Sequence, residues 1–562
     1  MDNFPLLSVM AYAPLAGALV LFFMPRASRE TTRAIALLAS LVSLVLSVVM
    51  VAGFDKNAEF QFEERVTWLN DLGVSYHFGV DGIAVVLIAL TTVLTLIAII
   101  WSWDTVNNRT REYYIAMLLL ETGMLGVFMA LDLFLFYIFW EVMLIPMALL
   151  IGVWGSSNRV YAAVKFFIYT LAGSLLMLVG IVATYQQYYE TTSVRTLNIL
   201  ELQTGWDKGA YSDLFQGLAF AAFLIAFAVK VPMFPLHTWL PDAHVEAPTA
   251  ASVILAAVLL KMGGYGLLRF NLPLFPEGTE DWAIPIAVLS IIAILYGAFV
   301  ALVQPDLKKL VAYSSVSHMG FVTLGIAVSV LAAERDRLAG VANVEHYLNG
   351  LNGSMMVMLA HGFNTGALFL LVGVIYERAH TRLIAAFGGL ASRMPVYSAF
   401  FMLFMLASIG LPGMSGFIGE FLVALGTWQW NKWAAFFTFA VVIFAAWYMM
   451  WMFQRVIFGR RPEQPPDPHD ADLTPDERAM IAASHGHGHG EAVMPVSGAS
   501  HEHDDEHGGI VWRDLTVKEA ITLIPLAIAT IVFGVYPKPI FEIVQPSFER
   551  ILEPFLRGPL GG

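Results

Sequence analysis

The feature that most constrains the fold is the recurrence of apolar runs long enough to cross a bilayer. A helix needs roughly 20 apolar residues to traverse about 30 Å of hydrocarbon. Fourteen segments meet that demand: 4–24, 34–53, 83–103, 113–131, 133–153, 164–185, 217–240, 249–270, 283–303, 309–331, 353–376, 396–424, 433–457 and 517–536. Numbered one to fourteen in chain order, they predict an all-α membrane protein, because a helix satisfies all its backbone polar groups within one segment. Composition agrees, with 58% hydrophobic and only 13% charged residues over 562 positions, well outside soluble norms. The first segment has neither a basic leader nor a small-residue cleavage site, so it is expected to be a retained helix and not a signal peptide.

Cysteine is absent, which excludes cysteine-held iron–sulfur clusters, c-type haem attachment, disulfides and thiol catalysis. Any redox chemistry would belong to a partner. The formal charge of −13 sits mainly in connecting loops and argues against nucleic-acid binding. Cations near helix ends gather on one side: Arg26, Arg29 and Arg33, Arg109 and Arg111, Arg159, Lys308 and Lys309, Arg378, Arg382 and Arg393, and Arg455, Arg460 and Arg461 all follow odd-numbered helices. Loops after even-numbered helices are acidic. The positive-inside rule therefore places both termini on the outer, periplasm-like face.

Three landmarks recur in the same order. "DLFLFYIFWEVM" from Asp132 is echoed by "DLKKLVAYSSVSHM" from Asp306, "AGSLLMLVGI" from Ala172 by "TGALFLLVGV" from Thr365, and "KVPMFP" from Lys230 by "GLPGMS" from Gly410. Five helices fit each repeat, and because five is odd the second copy is expected to be inverted, as in many transporters. Helices seven and twelve, both broken by proline, are then symmetry mates. The expected division is 1–112 for helices one to three, 113–270 for the first repeat, 271–458 for the inverted second, a polar loop at 459–510, and 511–562 for helix fourteen and a tail. The loop carries "HGHGHG" and "HEHDDEH"; its irregular spacing and lack of cysteine fit a disordered linker better than a metal site.

An ionisable side chain at the bilayer centre costs about 2.5 to 3.5 kcal/mol on insertion scales, so each one is a functional hypothesis. Counting at about 1.5 Å per residue puts Glu141 in helix five, Lys230 in helix seven, Lys261 in helix eight and His318 in helix ten at one depth. Glu420 in helix twelve falls further out, after the "GLPGMSG" break, where it would face outer water. Asp132 reads either as a relay member or as a helix N-terminal carboxylate favoured by the dipole. His361 reads equally as a relay imidazole or one bonded to a backbone carbonyl. His237 and His244 lie beyond the break of helix seven and are expected to be hydrated groups on the intake side. A structural ion pair would account for Glu141 with Lys230, but it leaves Lys261 and His318 unexplained.

The stretch "AFAVKVPMFPLHTWLPDAH" sets Lys230 beside Pro232 and Pro235. Each proline removes a backbone donor and opens the ladder, leaving carbonyls that attract water or a cation. A water-lined cavity beside Lys230 is expected. Burial and a nearby carboxylate act oppositely on a lysine, so moving Glu141 relative to Lys230 would switch it between holding and releasing a proton.

"FWEVMLIPM", "KVPMFPLHTWLPDAHVEAPTAASVILAAVLLKMGGYGLLRF" and "GLPGMSGFIGEF" resemble the M-type antiporter-like membrane subunits of respiratory complex I, the proton-pumping NADH:quinone oxidoreductase. The resemblance covers nearly the whole chain. It implies a fourteen-helix bundle with two inverted five-helix repeats in a bacterial inner membrane, among lipids and beside L-type and N-type subunits. It also implies that FMN, iron–sulfur clusters and quinone sit in partner subunits, with no cofactor in this chain. In the implied roles Glu141 modulates Lys230, Lys261 is the central proton carrier, His318 bridges along a hydrated axis, and Glu420 is the outward acceptor where many relatives have lysine. The loop at 459–510 is longer than the family's usual connection.

Two other functions fit part of the pattern. A subunit of a multi-chain sodium/proton antiporter or membrane hydrogenase would use the same axis with another driving source. A non-transporting membrane scaffold would have no need of buried lysines.

Overall fold

The computed structural model describes residues 4–340, 344–460 and 512–557. Most of the histidine-rich loop expected at 459–510 lies outside the described residues. Thirteen of the described helices are long and apolar enough to span a membrane. The remaining span expected from the sequence, helix twelve, is divided into Pro395–Ser408 and Ser415–Trp430. Between the halves Gly410 and Gly413 adopt φ of +81° and +91°, a left-handed backbone that glycine enters without a Cβ penalty.

Helix seven is divided too. It runs Asp213–Lys230 and resumes as the short helix Trp239–Glu246. The intervening turn is not left open: the Trp239 indole N–H donates to the Val229 carbonyl at 2.9 Å, and the Met233 N–H reaches the Ala228 carbonyl at 2.8 Å. Helix eight follows over Thr249–Leu274, every residue of its most apolar stretch buried, with π-turns at Leu255–Leu259 and Leu267–Asn271 on either side of Lys261. Such bulges commonly mark functional positions in helices. Helices ten, Leu307–Leu338, and eleven, Val344–Ala379, complete the buried centre.

One backbone clasp occurs twice. Leu133 N–H donates to Leu197 O at 2.8 Å and Ile199 N–H to Leu131 O at 2.9 Å; Leu307 N–H donates to Arg382 O at 3.0 Å and Ile384 N–H to Pro305 O at 2.8 Å. Each clasp ties the start of a helix, five or ten, to the chain leaving the next one, six or eleven. Each encloses a capping aspartate, Asp132 or Asp306, whose carboxylate accepts two N–H groups of the helix it begins. The same local arrangement thus recurs at the two landmarks, Asp132 and Asp306.

Two elements went unread in the sequence. An antiparallel hairpin, β1 Gln61–Leu69 and β2 Val74–Val80, occupies what reads as an acidic loop. A final helix, Lys538–Arg557, replaces the expected tail; it buries Ile540, Val544, Phe548, Leu552 and Phe555 and accepts the Gly82 N–H on Ser547 Oγ at 3.2 Å.

Candidate functional site

Helix five bends between Leu133–Val142 and Leu144–Trp154, and Glu141 sits just before the bend. One of its carboxylate oxygens, Oε1, is buried without a hydrogen-bond partner, and so is the Lys230 ammonium. The two do not form an ion pair. Instead Lys230 Nζ lies 5.3 Å from the ring centre of Trp140 and 5.7 Å from that of Phe166, a cation–π cup that holds charge without a counter-ion. An ammonium at the last residue of a helix is also favoured by the dipole of that helix.

Next to it, helices seven and eight touch backbone to backbone. A Cβ on Gly263 would lie 2.6 Å from the Phe227 carbonyl and 2.8 Å from the Val231 nitrogen, so only glycine allows this approach, one turn from both Lys230 and Lys261. No hydrogen bond joins the two lysines among the described residues.

Lys261 belongs to a second, connected group. Its Nζ donates to the Ala256 carbonyl at 2.6 Å, an oxygen within the first π-turn, and lies 2.6 Å from His361 Nδ1. His361 Nε2 is buried and has no hydrogen-bond partner among the described residues. The His361 and His318 rings are 5.8 Å apart between centres, and His318 Nδ1 lies 3.0 Å from Glu420 Oε1. A gap of about 10 Å³ opens among His318, His361, Asn364, Ser408 and Glu420. That is close to the smallest space that holds one water. Glu420 also borders an apolar cavity of about 290 Å³ with Phe321, Phe417, Ala424 and Ile443.

The remaining candidates divide by contact. Asp132 is fully buried; Oδ1 accepts the Phe134 and Leu135 N–H groups, and Oδ2 accepts the Ser75 N–H at 2.9 Å and hydroxyl at 3.2 Å. Every lone pair is engaged in capping helix five and holding the hairpin, which leaves it no free oxygen for a relay. Two expectations need correcting. His237 and His244 are not open to solvent: they are 3% and 0% exposed, because the chain beyond the break turns back into the bundle. His244 has no partner on either ring nitrogen and stacks on Phe369 at 4.6 Å. Glu420 is not beyond His318 but bonded to it, since the break in helix twelve uses up residues without helical rise.

On the basic-loop face lies a cavity of about 390 Å³ with a mixed lining, whose polar members include Asn107, Ser156, Glu246, Lys308, Glu377 and Arg382. Of these, Lys308 and Arg382 read in the sequence only as flanking cations, and Glu246 and Glu377 drew no notice. Nothing in residue counting shows that separate loops gather around one space. Lys165, near the basic start of helix six, pairs with Asp242 at 2.7 Å.

Comparison with known proteins gives a consistent picture. The family model described as "NADH:quinone oxidoreductase/Mrp antiporter, TM" matches residues 130–445. The NADH-quinone oxidoreductase subunit M of Rhodobacter capsulatus is 44% identical over 559 residues, 98% of this chain and 96% of that one. Among solved structures, a chain of respiratory complex I from Thermus thermophilus superposes with a TM-score of 0.78 at 27% identity, over 98% of this chain and 100% of that one. A chain of the Mrp complex from Dietzia shares the fold, with a TM-score of 0.77 at 21% identity, over 98% and 99% of the two chains.

Proposed function

The chain belongs to the M-subunit family of NADH:quinone oxidoreductase, an antiporter-like membrane subunit of that complex, and from this we propose that it carries protons through Glu141, Lys230, Lys261, His361, His318 and Glu420. The observation that supports the proposal is the row Lys261, His361, His318 and Glu420, in which hydrogen-bond distances join Lys261 to His361 and His318 to Glu420 and the two imidazole rings between them lie 5.8 Å apart, edge to face. Such groups are expensive in hydrocarbon unless they serve a pathway, and here they come from helices eight, ten, eleven and twelve to meet at one place.

In this reading the chain is a translocase with no redox chemistry of its own. Quinone reduction in other subunits, which hold FMN and iron–sulfur clusters, supplies the energy; one charge moved against 100 mV costs about 2.3 kcal/mol. Protons enter from the basic-loop face, load Lys230 and Lys261, and leave through Glu420 toward the outer side. Glu141 acts as the switch: approach to Lys230 holds its proton and withdrawal releases it. The separated carboxylate and ammonium suit a switch better than a permanent lock. We further propose a bacterial inner-membrane location with both termini outward, L-type and N-type neighbours, and the division into inverted repeats given above.

The test is NADH-driven proton uptake in proteoliposomes containing the whole complex. Glu141→Ala should lower coupled pumping by about a hundredfold, the low end of what positioned proton-transfer groups contribute, with assembly intact on native gels. Full pumping by an assembled Glu141→Ala complex would remove the carboxylate switch.

A further inference from the structure

Helix fourteen, Val517–Val535, lies outside both expected repeats and carries no residue of the proposed path, yet it reaches the surroundings of that path at two places. Gly534 meets the break of helix twelve backbone to backbone: a Cβ on it would lie 2.4 Å from the Met414 carbonyl carbon and 2.5 Å from the Gly413 oxygen. One turn earlier, the Thr530 hydroxyl donates to Asn364 Oδ1 of helix eleven at 2.8 Å, with both residues buried. Between these contacts Phe533 stacks on Phe363 at 5.9 Å.

The destination of the Thr530 hydroxyl sets it apart. A threonine inside a helix commonly returns its hydroxyl to a carbonyl one turn back, as Thr522 of the same helix does to the Glu519 carbonyl at 2.7 Å. Thr530 instead reaches across to another helix. A packing explanation is available, because hydroxyl and amide groups bond between membrane helices, but it covers only one end of Asn364. The other end, Nδ2, forms no hydrogen bond among the described residues and points at helix twelve, where a Cβ on Gly416 would lie 3.7 Å from it. Asn364 and Gly416 both line the gap of about 10 Å³ shared with His318, His361, Ser408 and Glu420. The amide turns its donor end to the gap because Thr530 engages its acceptor end.

We propose that Thr530 is a positioning residue for the proton path: it holds the Asn364 amide with its NH₂ toward the gap, and so orients a water there between the imidazoles and Glu420. This rests on the proton-carrying reading above. The chemistry requires one end of the amide and not the other. With the NH₂ facing it, a water has one lone pair occupied, the other open to a proton from an imidazole, and both hydrogens free for acceptors such as the Glu420 carboxylate. The proton then moves by exchange: an imidazole N–H bond breaks as a water O–H bond forms, and another water O–H bond breaks as Glu420 gains the proton. With the amide reversed, its oxygen would take one of the water hydrogens into a bond that leads nowhere, since an amide oxygen does not hold a proton at neutral pH. The Ser408 hydroxyl, buried and unpartnered in the same lining, supplies a further polar contact.

Variants at Thr530 separate positioning from packing. Thr530→Val and Thr530→Ala remove the hydroxyl, whereas Thr530→Ser keeps it. In proteoliposomes of the whole complex, with uptake counted per assembled complex, the first two should slow NADH-driven proton uptake about tenfold, the rate equivalent of one hydrogen bond. They should also slow more in D₂O than the unaltered complex does, because transfer across the gap becomes limiting. Thr530→Ser should pump normally in both solvents. Asn364→Leu should be at least as slow as Thr530→Val, and the double variant no slower than Asn364→Leu alone, since both changes act through one amide. Packing alone predicts lower thermal stability with uptake and isotope effect unchanged. Undiminished uptake in Thr530→Val and Thr530→Ala, or a Thr530→Ser complex as slow as they are, would overturn the positioning role. Glu420→Gln in the same assay keeps the two readings apart. If it pumps fully, the proton-carrying reading itself falls; if it is silent while Thr530→Val pumps normally, only the positioning assignment falls.

Discussion

The two halves of the buried axis are built on opposite principles. Around Lys230, carboxylate and ammonium stand apart, each with an unpartnered atom, and two aromatic faces supply the stabilisation that a counter-ion would. Around Lys261, neighbouring groups are within hydrogen-bond or near-contact distance as far as Glu420. An unpaired buried charge is costly, and that cost falls when a partner moves in. In the row from Lys261 to Glu420 most groups have a polar neighbour, and it conducts only if every member is present. The Lys230 half is therefore suited to sensing movement and the Lys261 half to passing a proton onward.

The severest way to break the comparison is to cut the connected half at its middle. His361→Leu removes the group between Lys261 and His318 and fills the small polar gap with hydrocarbon. It should depress NADH-driven proton uptake by about a hundredfold, the scale of a lost positioned proton-transfer group. Lys230 and Glu141 would be untouched. If His361→Leu pumps as well as the unaltered complex, the contacts from Lys261 to Glu420 are packing and not a path.

Next in size is the junction between the halves. Gly263→Ala places a Cβ 2.4 Å from Val231 Cγ2 and 2.6 Å from the Phe227 carbonyl, which forces helices seven and eight apart. Overpacking of this kind costs about 1 to 3 kcal/mol. Lower thermal stability of the detergent-solubilised complex is expected, together with slower pumping as Lys230 and Lys261 separate. Unchanged stability would show that the two helices have room to spare, and pumping unchanged despite lower stability would show that the halves need not be close.

Much of this arrangement was legible in the sequence, for definable reasons. Prolines at 232, 235 and 412 announce the breaks because they remove donors, and charged residues inside apolar runs announce themselves by cost. Depth was legible only where the helix was continuous. A rise of about 1.5 Å per residue cannot be counted past a break, which is why Glu420 was placed too far out and His244 in water. His361 could not be ranked above a bland imidazole because its partner is 100 residues away in the chain. Lys308 looked like an ordinary flanking cation, since its burial comes from the junction of helices seven and eight folding over it. The spacing of Ile540, Val544, Phe548 and Leu552 is a helical stripe four residues apart, and it was there to be read; the prolines at 546 and 554 and the polar opposite face made it look like a tail. The hairpin over Gln61–Val80 offered less, because three adjacent charged residues, Glu63, Glu64 and Arg65, interrupt the alternation of its first strand.

The smallest expected effect tests where the axis ends. Asp132 caps the helix that carries Glu141 and is fully buried where Glu141 is partly so, and a scheme that counted every buried carboxylate as a carrier would include it. Its oxygens are taken by Phe134, Leu135 and Ser75, whereas Glu141 keeps an oxygen free. Asp132→Asn retains a carbonyl oxygen for the helix N–H groups and is a good N-cap in its own right, so the loss should be no more than about 1 kcal/mol. It falls on the contact with Ser75, where the amide NH₂ meets a backbone donor. A slightly lower unfolding temperature with undiminished proton uptake is expected, against the hundredfold loss from Glu141→Ala. A pumping defect in Asp132→Asn comparable to that of Glu141→Ala would mean that a fully hydrogen-bonded carboxylate can still carry protons, and the contrast between engaged and free groups would no longer mark the path.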